Sequence, residues 1–341
     1  MAKVLVTGGG GFLGKALVAQ LLARGDEVTS ITRRPQPQLE KLGVRCIYGD
    51  LTQKDVVFSA AQGMEVIYHT ASKAGIWGSY ADYEPINIWA VRHLLEACRR
   101  LGVGAFIYTS TPSVIYRPAT DFAYVDETTP YPSFYDCAYA QTKALAEQEV
   151  LAANSPQVRT VALRPHLIYG PDDPHLVPRV VERAYAGQLF QVGEGRNLVD
   201  LTYVDNAAQA HIAAYTHLER CAGQAYFIGD GAAVNLWGWI KELLAQVGAP
   251  PIKIKVSYRL TRALGALLEG IYRSLRIAEE PKMTRFVADQ LALSNYFNKA
   301  KAERDLEFKP QVSAQEGVRR LREWILGEGG ANLRHRSITV L

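Results

Sequence analysis

The chain carries no Cys-x-x-Cys pair. Its four cysteines, Cys46, Cys98, Cys137 and Cys221, lie scattered through 341 residues. That spacing indicates neither a disulfide framework nor a zinc site, so no metal is expected. Unpaired thiols fit a reducing, cytoplasmic location. No stretch approaches the ~20 uncharged apolar residues that a membrane span needs. The N-terminus, MAKVLVTGG, has one lysine and an apolar run that stops at glycine, unlike a secretory leader. A long Lys/Arg run is also missing. A net charge of +4 spread over this length gives no reason to expect nucleic-acid binding. No internal repeat is visible. What the chain does have is apolar residues, 48% against 21% charged. That suffices for a sizeable core, in one large domain or two lobes.

The N-terminal part alternates between two periods. Val4 to Val6 is a short apolar run. Glycines follow, then Leu13, Leu17, Val18, Leu21 and Leu22 at helical spacing. Gly25-Asp26 marks a turn before the β-branched run Glu27 to Ile31. This is a βαβ unit of about 30 residues. Further strands are expected at 44–48, 66–70, 105–109 and 158–163, and helices at 87–100 and 138–152. Such alternation predicts an α/β fold with a doubly wound parallel sheet. After residue 165 the rhythm loosens. Helices are expected at 176–188 and 236–247 and a strand at 225–228. The predicted division is a dinucleotide-binding domain over 1–165, with return segments around 190–230. A smaller, mostly helical substrate lobe occupies 166–326. The Gly-rich, then basic tail 327–341 reads as flexible.

Within the lobe, Leu260, Leu264, Leu267, Leu268, Ile271 and Leu275 repeat at helical spacing, with arginines off the stripe. The ordinary use of such a helix is to pack its apolar face into the core. The alternative is a helix lying on a membrane surface or against a partner, through residues 258–276. Its charges exclude a spanning helix.

The segment TGGGGFLG, Thr7 to Gly14, places glycines at 8, 11 and 14. The first permits a tight turn, the second lets the backbone approach a pyrophosphate, and the third allows close helix–strand packing. Backbone N–H groups at the helix start, at Phe12 and Leu13, would face the phosphates. The pattern follows a strand and opens a helix, the context a dinucleotide site requires. An NAD site usually has an acid at the end of the second strand, for the ribose 2′-hydroxyl. Here the sequence is Ile31-Thr32-Arg33-Arg34. The missing acid and the added guanidiniums favour NADPH, whose 2′-phosphate arginine can bind bidentately.

Tyr139-Ala-Gln-Thr-Lys143 places Tyr and Lys on one helical face. Of 18 tyrosines, only Tyr139 has a lysine four residues on. The lysine charge is expected to stabilise the phenolate and lower the Tyr139 pKa. Such a tyrosine can exchange a proton with a carbonyl or alcohol oxygen while hydride moves. Upstream, Tyr108-Thr109-Ser110-Thr111-Pro112-Ser113 follows a strand, where hydroxyls face the ligand crevice.

Together these motifs, with GDL at Gly49 to Leu51, Asn87 in NIWAVRHLLEAC, LRPHLIYGP and TYVDNAAQAH, resemble the extended short-chain dehydrogenase/reductases. The resemblance runs from residue 1 to about 325. It implies Thr111 as the catalytic Ser/Thr, Tyr139 as acid/base, and Lys143 as the residue that holds the nicotinamide ribose and tunes Tyr139. It also implies Asp50 and Leu51 beside the adenine and Pro165 near the nicotinamide. Threonine at 111 departs from the commoner serine but keeps the hydroxyl. Within the family the sequence is most similar to the 3β-hydroxysteroid dehydrogenase branch. SKAGIWGSY, YTSTPSV and LRPHLIYGPDD resemble bacterial 2-alkyl-3-oxoalkanoate reductases of long-chain olefin biosynthesis. That resemblance implies NADPH-dependent reduction of a hydrophobic β-keto acid, beside a pathway ligase and a decarboxylase. A homodimer is compatible with it. Lys73, Arg164 and His166 are candidates for a carboxylate anchor. Two other readings stay open: a sterol or steroid 3β-hydroxy dehydrogenase using NAD(P), and a non-catalytic NADPH-binding sensor or assembly protein.

Overall fold

In the computed structural model, residues 1–327 are described. The predicted tail therefore lies outside the described residues, except Gly327. Seven segments form the main sheet: β1 (Lys3–Thr7), β2 (Glu27–Thr32), β3 (Arg45–Tyr48), β4 (Val66–His69), β5 (Ala105–Thr109), β6 (Arg159–Pro165) and β7 (Gln224–Ile228). Their order is β7-β6-β5-β4-β1-β2-β3, with every neighbouring pair parallel. Side chains alternate across a strand. Val4 and Val6 of β1 enter the core on one face of the sheet, while Leu5 enters the core on the other. Covering both faces explains why these strands read as apolar runs rather than as alternating ones.

Helices fill the two outer layers. α1 (Phe12–Ala23) lies on the Val4/Val6 side. α2 (Ala90–Leu101) lies on the Leu5 side, and α3 (Ala138–Ala152) packs beside it. α4 (Val204–Thr216) packs along α1, and Gln20 Nε2 donates to the Asp205 carbonyl at 2.8 Å. The strand order reverses between β1 and β4. Such a reversal opens a crevice at the carboxyl ends of the two strands. There Thr7 pairs with His69, joined by a 2.6 Å hydrogen bond between Thr7 Oγ1 and His69 Nδ1.

The helix expected at 87–100 begins later, at Ala90. A wider π-helical turn, Pro85–Trp89, precedes it. That turn carries Asn87, whose buried amide is committed to other segments and not to the helix. A second, four-stranded sheet joins Phe122–Val125, Leu198–Val199, Val234–Asn235 and Asn295–Phe297. Its core holds Ile115, Tyr116, Phe122, Phe227 and Phe297.

α5 (Tyr258–Ser274) and α6 (Arg285–Ala292) pack together. The ordinary expectation for the apolar stripe of α5 is overturned. Thr261, Gly265 and Glu269 are its buried residues, and Leu260, Leu264, Leu267 and Ile271 face outward. Gly265 explains the orientation: a Cβ there would stand 2.6 Å from the Thr284 backbone. Glu269 then reaches Arg285, accepting from its backbone N–H at 2.6 Å and its guanidinium at 2.8 and 3.0 Å. Among the described residues, no helix is long and apolar enough to cross a membrane.

Candidate active site

The glycine turn sits at the carboxyl end of β1. Gly8 has φ +75°, a conformation L side chains rarely adopt. A Cβ on Gly14 would fall 2.0 Å from the Gly8 carbonyl oxygen, so only glycine lets α1 approach the strand this closely. Gly11 is the N-cap of α1, and no side chain caps that helix. The amides at its start, including Phe12 and Leu13, are thus the positive end of a helix dipole aimed at the crevice.

At the end of β2, Arg33 and Arg34 are exposed, and neither forms an ion pair among the described residues. Across from them, burial pushes the Asp50 carboxyl up. Hydrogen bonds from Thr52 and the nearby Arg33 charge outweigh it and hold the group below its ordinary value. Thr52 donates to Asp50 through both its N–H and its hydroxyl at 2.8 Å. Leu51 is buried in the adjoining core. Pro165 ends β6 beside Ile228.

Tyr139 opens α3, one residue after its first position. Burial raises its hydroxyl to about 12, while a hydrogen bond with Thr111 works in the opposite direction. The expected lowering by Lys143 is not found. The Lys143 ammonium donates instead to the Thr109 carbonyl at 2.6 Å and lies over the Tyr108 ring, 4.1 Å from its centroid. Burial lowers Lys143 to about 7 against the Glu147 carboxylate, which raises it. Thr111 caps the short 3₁₀ turn Pro112–Ile115 by accepting from the Ser113 N–H at 3.2 Å. Its neighbour Ser110 has a buried hydroxyl without a hydrogen-bond partner among the described residues. Thr111, just past β5, thus faces Tyr139, while Lys143, one turn further along α3, is turned to the Thr109 carbonyl.

Asn87 holds the loop over this site. Its Oδ1 accepts from the Lys73 N–H at 2.8 Å, and its Nδ2 donates to the Lys73 carbonyl at 3.2 Å and to Thr142 Oγ1 at 3.1 Å. Gly75 and Gly78, at φ +138° and +136°, let that loop fold back. Trp77 there accepts at its carbonyl from the Tyr83 hydroxyl, 2.8 Å away. The Tyr83 ring lies edge-on to Tyr139, 6.5 Å between centroids.

The three anchor candidates do not come together. Arg164 is buried and pairs with Glu147 at 2.5 Å, where Glu147 also accepts from the Tyr131 hydroxyl at 2.7 Å. His166 is buried against Tyr116, 3.1 Å from Nε2 to the hydroxyl, and burial holds it down to about 3, so it is neutral. Lys73 is exposed over the Tyr83 ring. A pocket lies next to Tyr139 instead. Tyr116, Phe122, Tyr135, Ala140, Phe286 and Leu293 supply apolar walls. Arg117 lines the same pocket and forms no ion pair among the described residues, while the acids there, Asp136 and Asp289, face Arg262 and Arg285. Sequence reasoning missed Arg117, which no motif marks. It also missed Glu147, although Tyr139, Lys143 and Glu147 follow one another at intervals of four on α3. Among the described residues no His, Cys, Asp or Glu cluster is able to hold a metal ion.

Comparison with known proteins gives the same grouping. The profile of the 3-beta hydroxysteroid dehydrogenase/isomerase family matches residues 5–257. The 2-alkyl-3-oxoalkanoate reductase of Stenotrophomonas maltophilia (strain K279a) is 45% identical over 325 residues, covering 94% of this chain and 98% of that protein. Its counterpart in Shewanella oneidensis is 43% identical over 333 residues, covering 94% and 86%. The solved structure of MoeE5 in complex with UDP-glucose and NAD has a TM-score of 0.73 at 25% identity, covering 98% of this chain and 99% of that one. The sheet order fits these matches: the chain is a member of the 3-beta hydroxysteroid dehydrogenase/isomerase family, an oxidoreductase with the extended short-chain dehydrogenase/reductase fold.

Proposed function

We propose that this chain reduces a 2-alkyl-3-oxoalkanoate to the 2-alkyl-3-hydroxyalkanoate, using NADPH. The supporting observation is Tyr139: a hydroxyl held protonated at neutral pH, hydrogen-bonded to Thr111, near a small pocket of mixed aromatic and polar lining whose cation, Arg117, forms no ion pair among the described residues. A proton donor to a ketone oxygen needs that protonation state. Thr111 orients the carbonyl oxygen, and Tyr139 delivers its proton. Lys143 is the charged group on the same face of α3 available to the phenolate that results. Arg117 is the candidate for the substrate carboxylate, in place of Lys73, Arg164 and His166. The pocket's apolar side, Tyr116, Phe122, Phe286 and Leu293, is where an alkyl chain would pack. The two relatives named for this reaction support the substrate class.

The cradle at Gly8, Gly11 and Gly14 fits a dinucleotide, because its uncapped helix start is free for a pyrophosphate. Phe12 and Leu13 would contribute backbone amides, Asp50 and Leu51 would flank the adenine, and Lys143 and Pro165 would lie on the nicotinamide side. Arg33 and Arg34, exposed and without ion pairs among the described residues, would take a 2′-phosphate. When bound, the cofactor supplies the hydride.

The test is consumption of NADPH by the purified chain on a synthetic 2-alkyl-3-oxoalkanoate. Turnover that is lost in Tyr139→Phe is expected. A second reading, oxidation of a 3β-hydroxysteroid, is favoured by the family's description. Turnover of a 3β-hydroxysteroid with NAD, and none of the keto acid with either nucleotide, would replace the first reading with the second.

A further inference from the structure

Tyr139, Lys143 and Glu147 follow one another at intervals of four on α3, and Arg164 of β6 meets the last of them. Lys143, Glu147 and Arg164 are 3%, 0% and 3% exposed. Two cations and one carboxylate are thus shut away from water, where each needs a protein partner. The proposed reaction employs Lys143 and gives no task to the other two.

Their partners are unequally divided. Arg164 donates to Glu147 from Nε at 3.0 and 3.1 Å and from Nη2 at 2.5 Å, and the Tyr131 hydroxyl donates to the same carboxylate at 2.7 Å. Lys143 is left with the uncharged Thr109 carbonyl and the Tyr108 ring. Side chains four apart on a helix are only about 5–6 Å apart at Cβ, and lysine and glutamate so placed commonly pair. Here they form no ion pair among the described residues, because Arg164 and Tyr131 turn the carboxylate toward themselves. Its field still reaches the ammonium: Glu147 opposes the burial that lowers Lys143 to about 7. The other groups around the lysine bring no anion. His69 on β4 and His211 on α4 are held neutral by burial, at about 3 and about 4. Tyr108 on β5 and Tyr139 are kept protonated in the same way. Glu149, further along α3, pairs with Arg92 at the surface.

The buried charges of Lys143, Glu147 and Arg164 leave a net positive charge. When Tyr139 gives up its proton, its phenolate brings the sum to zero. A direct Lys143–Glu147 contact would neutralise the ammonium beforehand and draw it away from Tyr139. Loss of Glu147 would leave burial unopposed in driving the proton off Lys143. We propose that Glu147 and Arg164 are positioning residues for Lys143: the carboxylate acts as a counter-charge at a distance, and the guanidinium keeps the two from touching. Their value to catalysis rests on the roles of Tyr139 and Lys143 in the proposed reaction.

The experiment titrates the Lys143 ammonium directly, by NMR of the full chain carrying isotope-labelled lysine, with the Lys143 signal identified by its loss in Lys143→Arg. The pH profile of kcat/KM for keto acid reduction is read beside it. Glu147→Gln should move the Lys143 midpoint down by about one pH unit or more, since a nearby opposite charge shifts such a group by about 1–3. Arg164→Met should move it up, because the freed carboxylate turns to Lys143. Mere loss of stability would not drive the two variants in opposite directions. Should either single variant fail to fold, Glu147→Gln combined with Arg164→Met removes both charges together and should again move the midpoint down. The proposal is overturned if the midpoint stays in place in Glu147→Gln or in the double variant, or if Arg164→Met lowers it. Midpoints that move as expected, with a kcat/KM profile that does not follow them, uphold the link from Glu147 to Lys143 and overturn the role given to Lys143 in the proposed reaction.

Discussion

Lys143 Nζ donates to the carbonyl of Thr109 at 2.6 Å, so its charge is engaged at the end of β5, one turn of helix from Tyr139. The two groups are therefore pulled apart by burial, the lysine down to about 7 and the tyrosine up to about 12. Their roles as charge and as proton donor separate in the same way.

Under the proposed reaction, Tyr139→Phe should lower kcat for keto acid reduction by about 10²–10⁴, the range of a lost general acid. Cofactor binding, read by fluorescence titration, should barely change. For the parent enzyme, kcat/KM should fall as pH rises through about 7, where Lys143 loses its proton in the free enzyme. Tyr139 stays protonated across that range. In Lys143→Arg the fall near 7 should vanish, since arginine does not titrate there.

Arg33→Ser should raise KM for NADPH by about tenfold or more, since a charge-assisted hydrogen bond is worth about 1.5–3 kcal/mol. KM for NADH should stay the same. Equal effects on the two nucleotides would show that Arg33 does not face a 2′-phosphate. Arg117→Gln should raise KM for the keto acid and leave both nucleotides alone.

Arg164 and Glu147 form an ion pair that is 3% and 0% exposed. Arg164→Leu should cost about 3–5 kcal/mol in urea unfolding, because it leaves a buried carboxylate without its partner. Replacing both residues by apolar ones of similar volume should cost less than this single change. If the double replacement costs more, the pair contributes net stability.

His69, His166 and His211 are buried, and burial holds them down to about 3, about 3 and about 4. Their folded values lie below the ordinary value near 6.5, so between about 4 and 6.5 the unfolded chain binds protons that the native state refuses. Stability then rises with pH through that window and is lost on acidification. Three such groups give a slope of up to about 4 kcal/mol per pH unit. Asp230, raised by burial to about 6, opposes part of it, as do Glu127, Asp136, Asp173, Asp200 and Asp205, which burial also raises. Urea midpoints at pH values on either side of 6 should show lower stability on the acid side. A flat profile would mean that the raised carboxyls cancel the histidines or that the histidines reach water.

Much of the nucleotide half was legible because its signals are local. β1, the glycine turn and α1 follow within one short stretch, and each is marked by its own residue pattern. The Tyr139/Lys143 pair was visible for the same reason. The lobe was harder, since its organisation is non-local: Phe122–Val125 pairs with Asn295–Phe297, far along the chain. α4 packs through alanines at 207, 208, 210 and 214, which have little contrast with their surroundings. For α5 the period gave the stripe but not the side it faces. That depended on Gly265 meeting Thr284, and on the acid Glu269 finding Arg285. Arg164 and His166 read as candidates for a carboxylate anchor because a sequence does not show Glu147 or Tyr116 waiting beside them.

α4 and β7 come late in the chain, yet one covers α1 and the other completes the sheet beside β6. A fragment that stops at residue 165 would bare the outer side of α1 and leave β6 as a raw edge, open to pairing with other chains. Neither half is a self-sufficient piece. Unfolding should run as a single cooperative event, and genetic separation of the halves should yield aggregates rather than a nucleotide-binding module. The C-terminal part of the chain is accordingly threaded through the layers that the N-terminal part begins, and it can be varied in place but not exchanged as a cassette.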